Sequence, residues 1–219
     1  MLLTYEVDPS LVQPWLPSDV QPDLHDGKAL VSLIAFDFVD TRVRGRRIPG
    51  FVDFPEINFR TYVRQGDHQG VVAIRELVPS PLAAAIARLR FNEPFRSAPI
   101  ESRTQSLGDE LLVEHRWRWK ERRYFLRVTA DQHSIPAPAQ GPPHNLLGRR
   151  WAYGRTRRGQ PIRLRVEHPE WALRRIRTLD YEVDFGALYG PEWAVLNGRR
   201  PDGTHLAVGS AISIFPQGR

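Results

Sequence analysis

Apolar residues recur mostly at every second position along this chain, the spacing of a strand with one buried face, and helical spacing is confined to short windows. Residues 30–39, with Val31, Leu33, Ile34, Phe36 and Phe38, follow the turn signal His25-Asp26-Gly27 and predict a buried strand. Residues 42–49, interrupted by Gly45, predict an exposed connection. The segment 55–63 alternates strictly, with Ile57, Phe59, Thr61 and Val63 on one face and Glu56, Asn58, Arg60 and Tyr62 on the other. A turn at Gln65-Gly66-Asp67 leads into another strand over 71–78. Residues 111–119 and 124–130 flank the charged turn Lys120-Glu121-Arg122-Arg123 and predict a hairpin. A second hairpin is expected over 151–156 and 161–166, and a last strand over 207–215.

Helices are few. Ser80 is an N-cap residue directly before Pro81, and the good helix formers that follow predict a helix over 81–90. Single helical turns are expected at Asp8-Pro9-Ser10-Leu11-Val12 and over 184–189. Four prolines within 135–143 exclude helix or central strand there. Strand-like pattern continues on both sides, so this segment is expected to be a loop inside one domain spanning 1–219. The fold class expected is α+β, mostly antiparallel β with a few short helices.

Composition narrows the chemistry. The 219 residues carry no cysteine, which removes disulfides, a thiol nucleophile and a cysteine zinc site. Of 31 basic residues only Lys28 and Lys120 are lysine, and the formal net charge is +6. No run approaches the roughly 18 apolar residues of a spanning helix, and the start lacks a signal-peptide pattern, so a cytoplasmic protein without membrane attachment is expected. The seven histidines show no ligand spacing and read as surface or singly hydrogen-bonded residues; no metal and no cofactor is expected. Gly-x-Ser-x-Gly and phosphate-loop motifs do not occur. Nucleic-acid binding is disfavoured, because the arginines are spread along the chain and Trp117 and Trp119 alternate with Arg116 and Arg118 as in any amphipathic hairpin. Arg149-Arg150 and Arg199-Arg200 read as solvated loop charges.

The face Glu56, Asn58, Arg60, Tyr62 has two readings. As an ordinary antiparallel face it is solvated and laced with cross-strand ion pairs. Turned into a cavity, its carboxylate, amide, guanidinium and phenol converge, joined by Arg75 and Glu76 at the end of the next apolar run. Lys28 follows a turn and Lys120 sits in one, so neither promises the burial that Schiff-base chemistry needs.

Several segments in order resemble the YqjF-like family of unknown function, a branch of the acetoacetate-decarboxylase-like superfamily. They are Leu3-Thr4-Tyr5-Glu6-Val7-Asp8-Pro9, Asp26-Gly27-Lys28-Ala29-Leu30-Val31-Ser32, Asp53-Phe54-Pro55-Glu56-Ile57-Asn58-Phe59-Arg60-Thr61-Tyr62-Val63, Gly70-Val71-Val72-Ala73-Ile74-Arg75-Glu76-Leu77-Val78-Pro79, Asn92-Glu93-Pro94-Phe95, Trp151-Ala152-Tyr153-Gly154 and Val166-Glu167-His168-Pro169. The resemblance implies a β cone or barrel enclosing a cavity and no established activity. The superfamily's decarboxylases carry a Pro-Lys-Lys string whose lysine forms a Schiff base with a β-keto acid. Pro94-Phe95-Arg96 is similar to it but offers no amine, and Gly148-Arg149 stands where the family has a Glu-His pair. The expectation is a lyase or hydrolase acting on an anionic, carboxylate-bearing metabolite. Glu56 and Glu76 would be the acid and base, and Asn58, Arg60, Tyr62, Arg75, Glu93 and Arg96 the binding residues. A non-enzymatic ligand binder is the alternative, and self-association is left open.

Overall fold

The computed structural model describes residues 1–43, 45–48, 51–85, 94–138, 146–156 and 158–216. The strands are β1 (Leu2–Val7), β2 (Gln21–Pro22), β3 (Ala29–Phe38), β4 (Phe54–Gln65), β5 (His68–Val78), β6 (Phe95–Ser97), β7 (Ile100–Leu107), β8 (Glu110–Trp119), β9 (Arg122–Ile135), β10 (Trp151–Arg155), β11 (Pro161–Glu167), β12 (Leu173–Glu182), β13 (Gly203–Ala207) and β14 (Ser213–Pro216). They form one sheet in the order β14-β11-β10-β5-β4-β3-β1-β13-β12-β9-β8-β7, with β2 on β4 and β6 on β5. The α+β, mostly antiparallel expectation holds, but no pairing among the described residues joins β14 to β7, so a cone is an approximation.

The sheet bends around one apolar cluster. Leu3, Tyr5, Val31, Leu33, Ile57, Phe59 and Leu77 from one half meet Trp117, Tyr124, Leu126 and Val128 from the other. Helix α3 (Phe185–Tyr189) and the 3-10 turn Pro191–Leu196 fill the space between with Phe185, Leu188, Tyr189, Trp193 and Leu196. Phe59 lies 4.4 Å from Tyr189 and 4.9 Å edge-on from Trp193, ring centre to ring centre. Each such ring contributes on the order of 2 kcal/mol by leaving water. The helix is short and depends on its cap: Asp184 Oδ1 accepts from the Ala187 N–H at 3.0 Å and from the Asn197 side chain at 3.0 Å. Those bonds, aided by Arg122, hold the Asp184 carboxyl below the usual carboxylate range. Helix α1 (Pro9–Val12) is capped the same way by Asp8. Helix α2 is described over 81–85, with Ser80 Oγ accepting from Ala83; the rest of the expected 81–90 helix lies outside the described residues.

Two hairpins form as expected, β8–β9 around Lys120-Glu121 and β10–β11. Six strands lie outside the expected ones: β1, β2, β6, β7, β12 and, but for Ala207, β13. Beyond the buried Ile100, strand β7 is exposed and polar as far as Ser106 because it is the edge of the sheet, paired with β8 alone. The expected strand over 207–215 is corrected to two, β13 and β14, separated by a turn at Gly209 and paired with different neighbours.

Strand β5 has three partners. β4 runs along one side, while β10 and β6 share the other, both parallel to it. Gly70 allows this, because a Cβ there would lie 2.5 Å from Tyr153 and 2.6 Å from the Trp151 carbonyl oxygen. Gly70→Ala is therefore expected to cost roughly 2 kcal/mol of stability by overpacking against backbone that cannot yield. A chemical-denaturation midpoint checks this.

Candidate functional site

Register decides which side chains meet, since residues directly opposite each other share a face. Asn58 lies between Ile34 and Glu76, Arg60 between Ser32 and Ala73, and Ser32 is opposite Thr4. Glu56, Asn58, Arg60, Tyr62 and Glu76 therefore share one face with Ser32 and Thr4. Water does not cover that face: Glu56 is 3% and Asn58 8% exposed, and Ser32 and Tyr62 are fully enclosed. Arg60 and Glu76 are half-buried. The cover includes the chain just beyond the proline-rich segment, where Leu147 packs on Leu2, Ile34 and Phe36 together with Ala137 and Trp171. Of the two readings of this strand, the solvated one is corrected.

The polar groups form a connected set. The Asn58 amide nitrogen donates to Glu76 Oε1 at 2.6 Å and to Glu56 Oε1 at 3.2 Å, so one neutral amide ties two carboxylates together. The Tyr62 hydroxyl donates to Ser32 Oγ at 2.8 Å, and the Ser32 and Thr4 hydroxyls lie 2.7 Å apart. The Arg60 and Arg149 guanidinium carbons lie 5.5 Å and 5.3 Å from the centre of the Tyr62 ring. Arg149 also pairs with Asp23 at 2.5 Å. Two buried atoms, Arg60 Nε and Asn58 Oδ1, have no hydrogen-bond partner among the described residues. A desolvated donor on a cation gains more from an incoming acceptor than one already in water.

The remaining expected site residues lie elsewhere. Arg75 is opposite Phe59, hence on the apolar face; it donates to the Leu188 carbonyl and lies 5.7 Å over the Trp119 ring. Arg96 is in register with Leu77 and is exposed. Phe95 is in register with Glu76, so the position beside that carboxylate carries a phenyl ring and no amine. Glu93 lies outside the described residues. Lys28 and Lys120 are both exposed.

Two readings of single residues are corrected. Arg149 is no solvated loop charge but 7% exposed, and its pairing with Asp23 explains how a cation is held there. His115 is no surface histidine: it is 1% exposed, with Nε2 3.5 Å from Asp37 Oδ1. Ser102 donates its hydroxyl to Asp37 Oδ2 at 2.8 Å, so the serine is tied to the carboxylate and no Ser-His nucleophile is assembled. Burial pushes the Asp37 carboxyl up, but His115 and Ser102 outweigh it and hold it below its ordinary range. Ser32 and Thr4 were the members of the polar face that pattern reading missed. The available signal was Ser32 itself, a hydroxyl inside an otherwise apolar run, which needs a partner once buried.

Among the described residues no group of three or more His, Asp or Glu side chains is placed to hold a metal ion, and no helix is long and apolar enough to cross a membrane. Comparison with known structures shows the fold. An acetoacetate decarboxylase superposes with a TM-score of 0.62 at 14% identity, covering 98% of this chain and 83% of that one. The enduracididine biosynthesis enzyme MppR complexed with pyruvate superposes with a TM-score of 0.56 at 17% identity, covering 85% of this chain and 77% of that one. In sequence, the uncharacterized protein YqjF of Bacillus subtilis (strain 168) is 32% identical over 99 residues, 45% of this chain and 41% of YqjF. The match thus spans about two fifths of that relative. A family model describing uncharacterized conserved proteins matches residues 1–211, and the chain belongs to that family, DUF2071.

Proposed function

We propose that the protein binds a small carboxylate-bearing molecule against the Glu56, Asn58, Arg60 and Glu76 face and carries out acid and base chemistry on it without an imine to lysine. The observation that carries this reading is the Asn58 amide holding both carboxylates at 2.6 and 3.2 Å on a largely buried face. Two carboxylates in one small site can divide the acid and base roles, provided their surroundings differ. Here they do: Glu56 is buried and Glu76 half-buried. Arg60, on the same strand two residues on, presents a permanently charged donor for the ligand carboxylate.

The pyruvate held by MppR and the substrate named for acetoacetate decarboxylase are oxo acids, which makes pyruvate and acetoacetate the probes of choice. A second reading, a binder without turnover, is favoured by one observation: both lysines are exposed and Phe95 stands in register with Glu76. Calorimetric titration with each acid, followed by proton spectra of the same sample, separates the two. Expected for the enzyme are saturable heat and a changed ligand, with Glu76→Gln retaining the heat and losing the change. Ligand recovered intact assigns the binder.

A further inference from the structure

We propose that the opposite face of the sheet carries a second, independent anion site, a groove between β6 and the β8–β9 turn that takes a phosphate-like dianion. The groove holds about 320 Å³ and is lined by Ser97, Pro99, Arg118, Trp119, Lys120 and Glu121. Arg75 lies over the Trp119 ring at 5.7 Å, and its guanidinium is fixed by the Leu188 carbonyl. Arg96 is close enough to Arg75 that, after burial, its charge is the next cause holding the Arg75 pKa below the ordinary guanidinium value. Two guanidinium groups thus face each other's field where an acceptor would relieve both.

Charge bookkeeping selects the ligand. Cations on the neighbouring strands are neutralised: Arg116 and Arg127 pair with Glu114, and Arg122 pairs with Asp184. Arg75, Arg96, Arg118 and Lys120 make no ion pair among the described residues. Among the described residues, Glu121 lines the groove and the field of Glu192 acts on Arg75, while Asp184 and Glu182 act on the neighbouring Tyr124. Arg118 and Lys120 against Glu121 on the lining, with Arg75 over Trp119 and Arg96 acting on Arg75, leave a positive surplus that suits a dianion better than a monocarboxylate. The Tyr189 hydroxyl and the Trp117 indole N–H are buried with no hydrogen-bond partner among the described residues. Tyr189 is near enough to Arg75 and Tyr124 for both to act on its ionisation.

The site shares no residue with the Glu56 face, so the two stand or fall separately. Inorganic phosphate is the probe, followed by thermal denaturation and phosphorus NMR, with sodium chloride at matched ionic strength as the control. Phosphate is expected to raise the melting temperature saturably where chloride does not. The double variant Arg96→Gln, Lys120→Gln changes exposed side chains only, and circular dichroism verifies that it folds. It should weaken phosphate about tenfold or more, while Arg60→Met leaves phosphate affinity unchanged. An equal response to chloride, unaltered affinity in the double variant, or affinity lost in Arg60→Met alone would each overturn the proposal.

Discussion

Asn58→Leu is expected to lower the unfolding free energy by about 3 kcal/mol, with the denaturation midpoint falling and the denaturant slope unchanged. Leucine has asparagine's branching and number of side-chain heavy atoms, so no cavity opens and the lost hydrogen bonds dominate. Glu56 and Glu76 lose the amide that they share at 3.2 and 2.6 Å. Hydrogen bonds to charged acceptors contribute roughly 1.5–3 kcal/mol each, and leucine's gain on burial offsets part of that sum. Glu76→Gln costs less, because its side-chain carbonyl still accepts from Asn58. A loss below about 1 kcal/mol in Asn58→Leu would mean that the two carboxylates are not held by this amide.

The second large effect is at Arg149, whose replacement by methionine should destabilise the protein by about 3 kcal/mol. The guanidinium is 7% exposed and lies 2.5 Å from Asp23, and removing one member of a buried pair leaves the other charge without its partner. Its stacking over Tyr62 is lost as well. The double variant Arg149→Met, Asp23→Leu should recover much of the loss, because no lone charge remains. A double-mutant cycle reads the coupling directly. Coupling above about 1 kcal/mol is expected; coupling near zero would place Arg149 outside the closure of the polar face. Since Arg149 follows the proline-rich segment in the chain, the same variant should also weaken any ligand held beneath it.

Strict alternation over 55–63 identified the strand and placed Glu56, Asn58, Arg60 and Tyr62 on one face, because the two-residue period depends only on local sequence. Whether that face met water did not depend on local sequence. It was decided by Leu147 and Arg149, some ninety residues on, whose only sequence signal was position after a proline-rich segment. Arg75 shows the limit of adjacency. It precedes Glu76, yet neighbouring strand residues point to opposite faces, and the register break between Phe59 and Arg60 shifts which β5 residues oppose β4. Pro94-Phe95-Arg96 carries no amine, and Phe95 lies in register with Glu76. Strand β7 left little trace, since backbone pairing at an edge asks little of side chains.

The central claim is that Arg60 and the Asn58-bridged carboxylates form one ligand site. The most direct test is calorimetric titration of the intact protein and of Arg60→Met with pyruvate and acetoacetate. Saturable binding of at least one acid to the native chain is expected, weakened about tenfold or more when the Arg60 charge is removed while Asn58, Glu56 and Glu76 remain. Equal affinity in the native and Arg60→Met proteins, or no binding of either acid to the native chain, would contradict it.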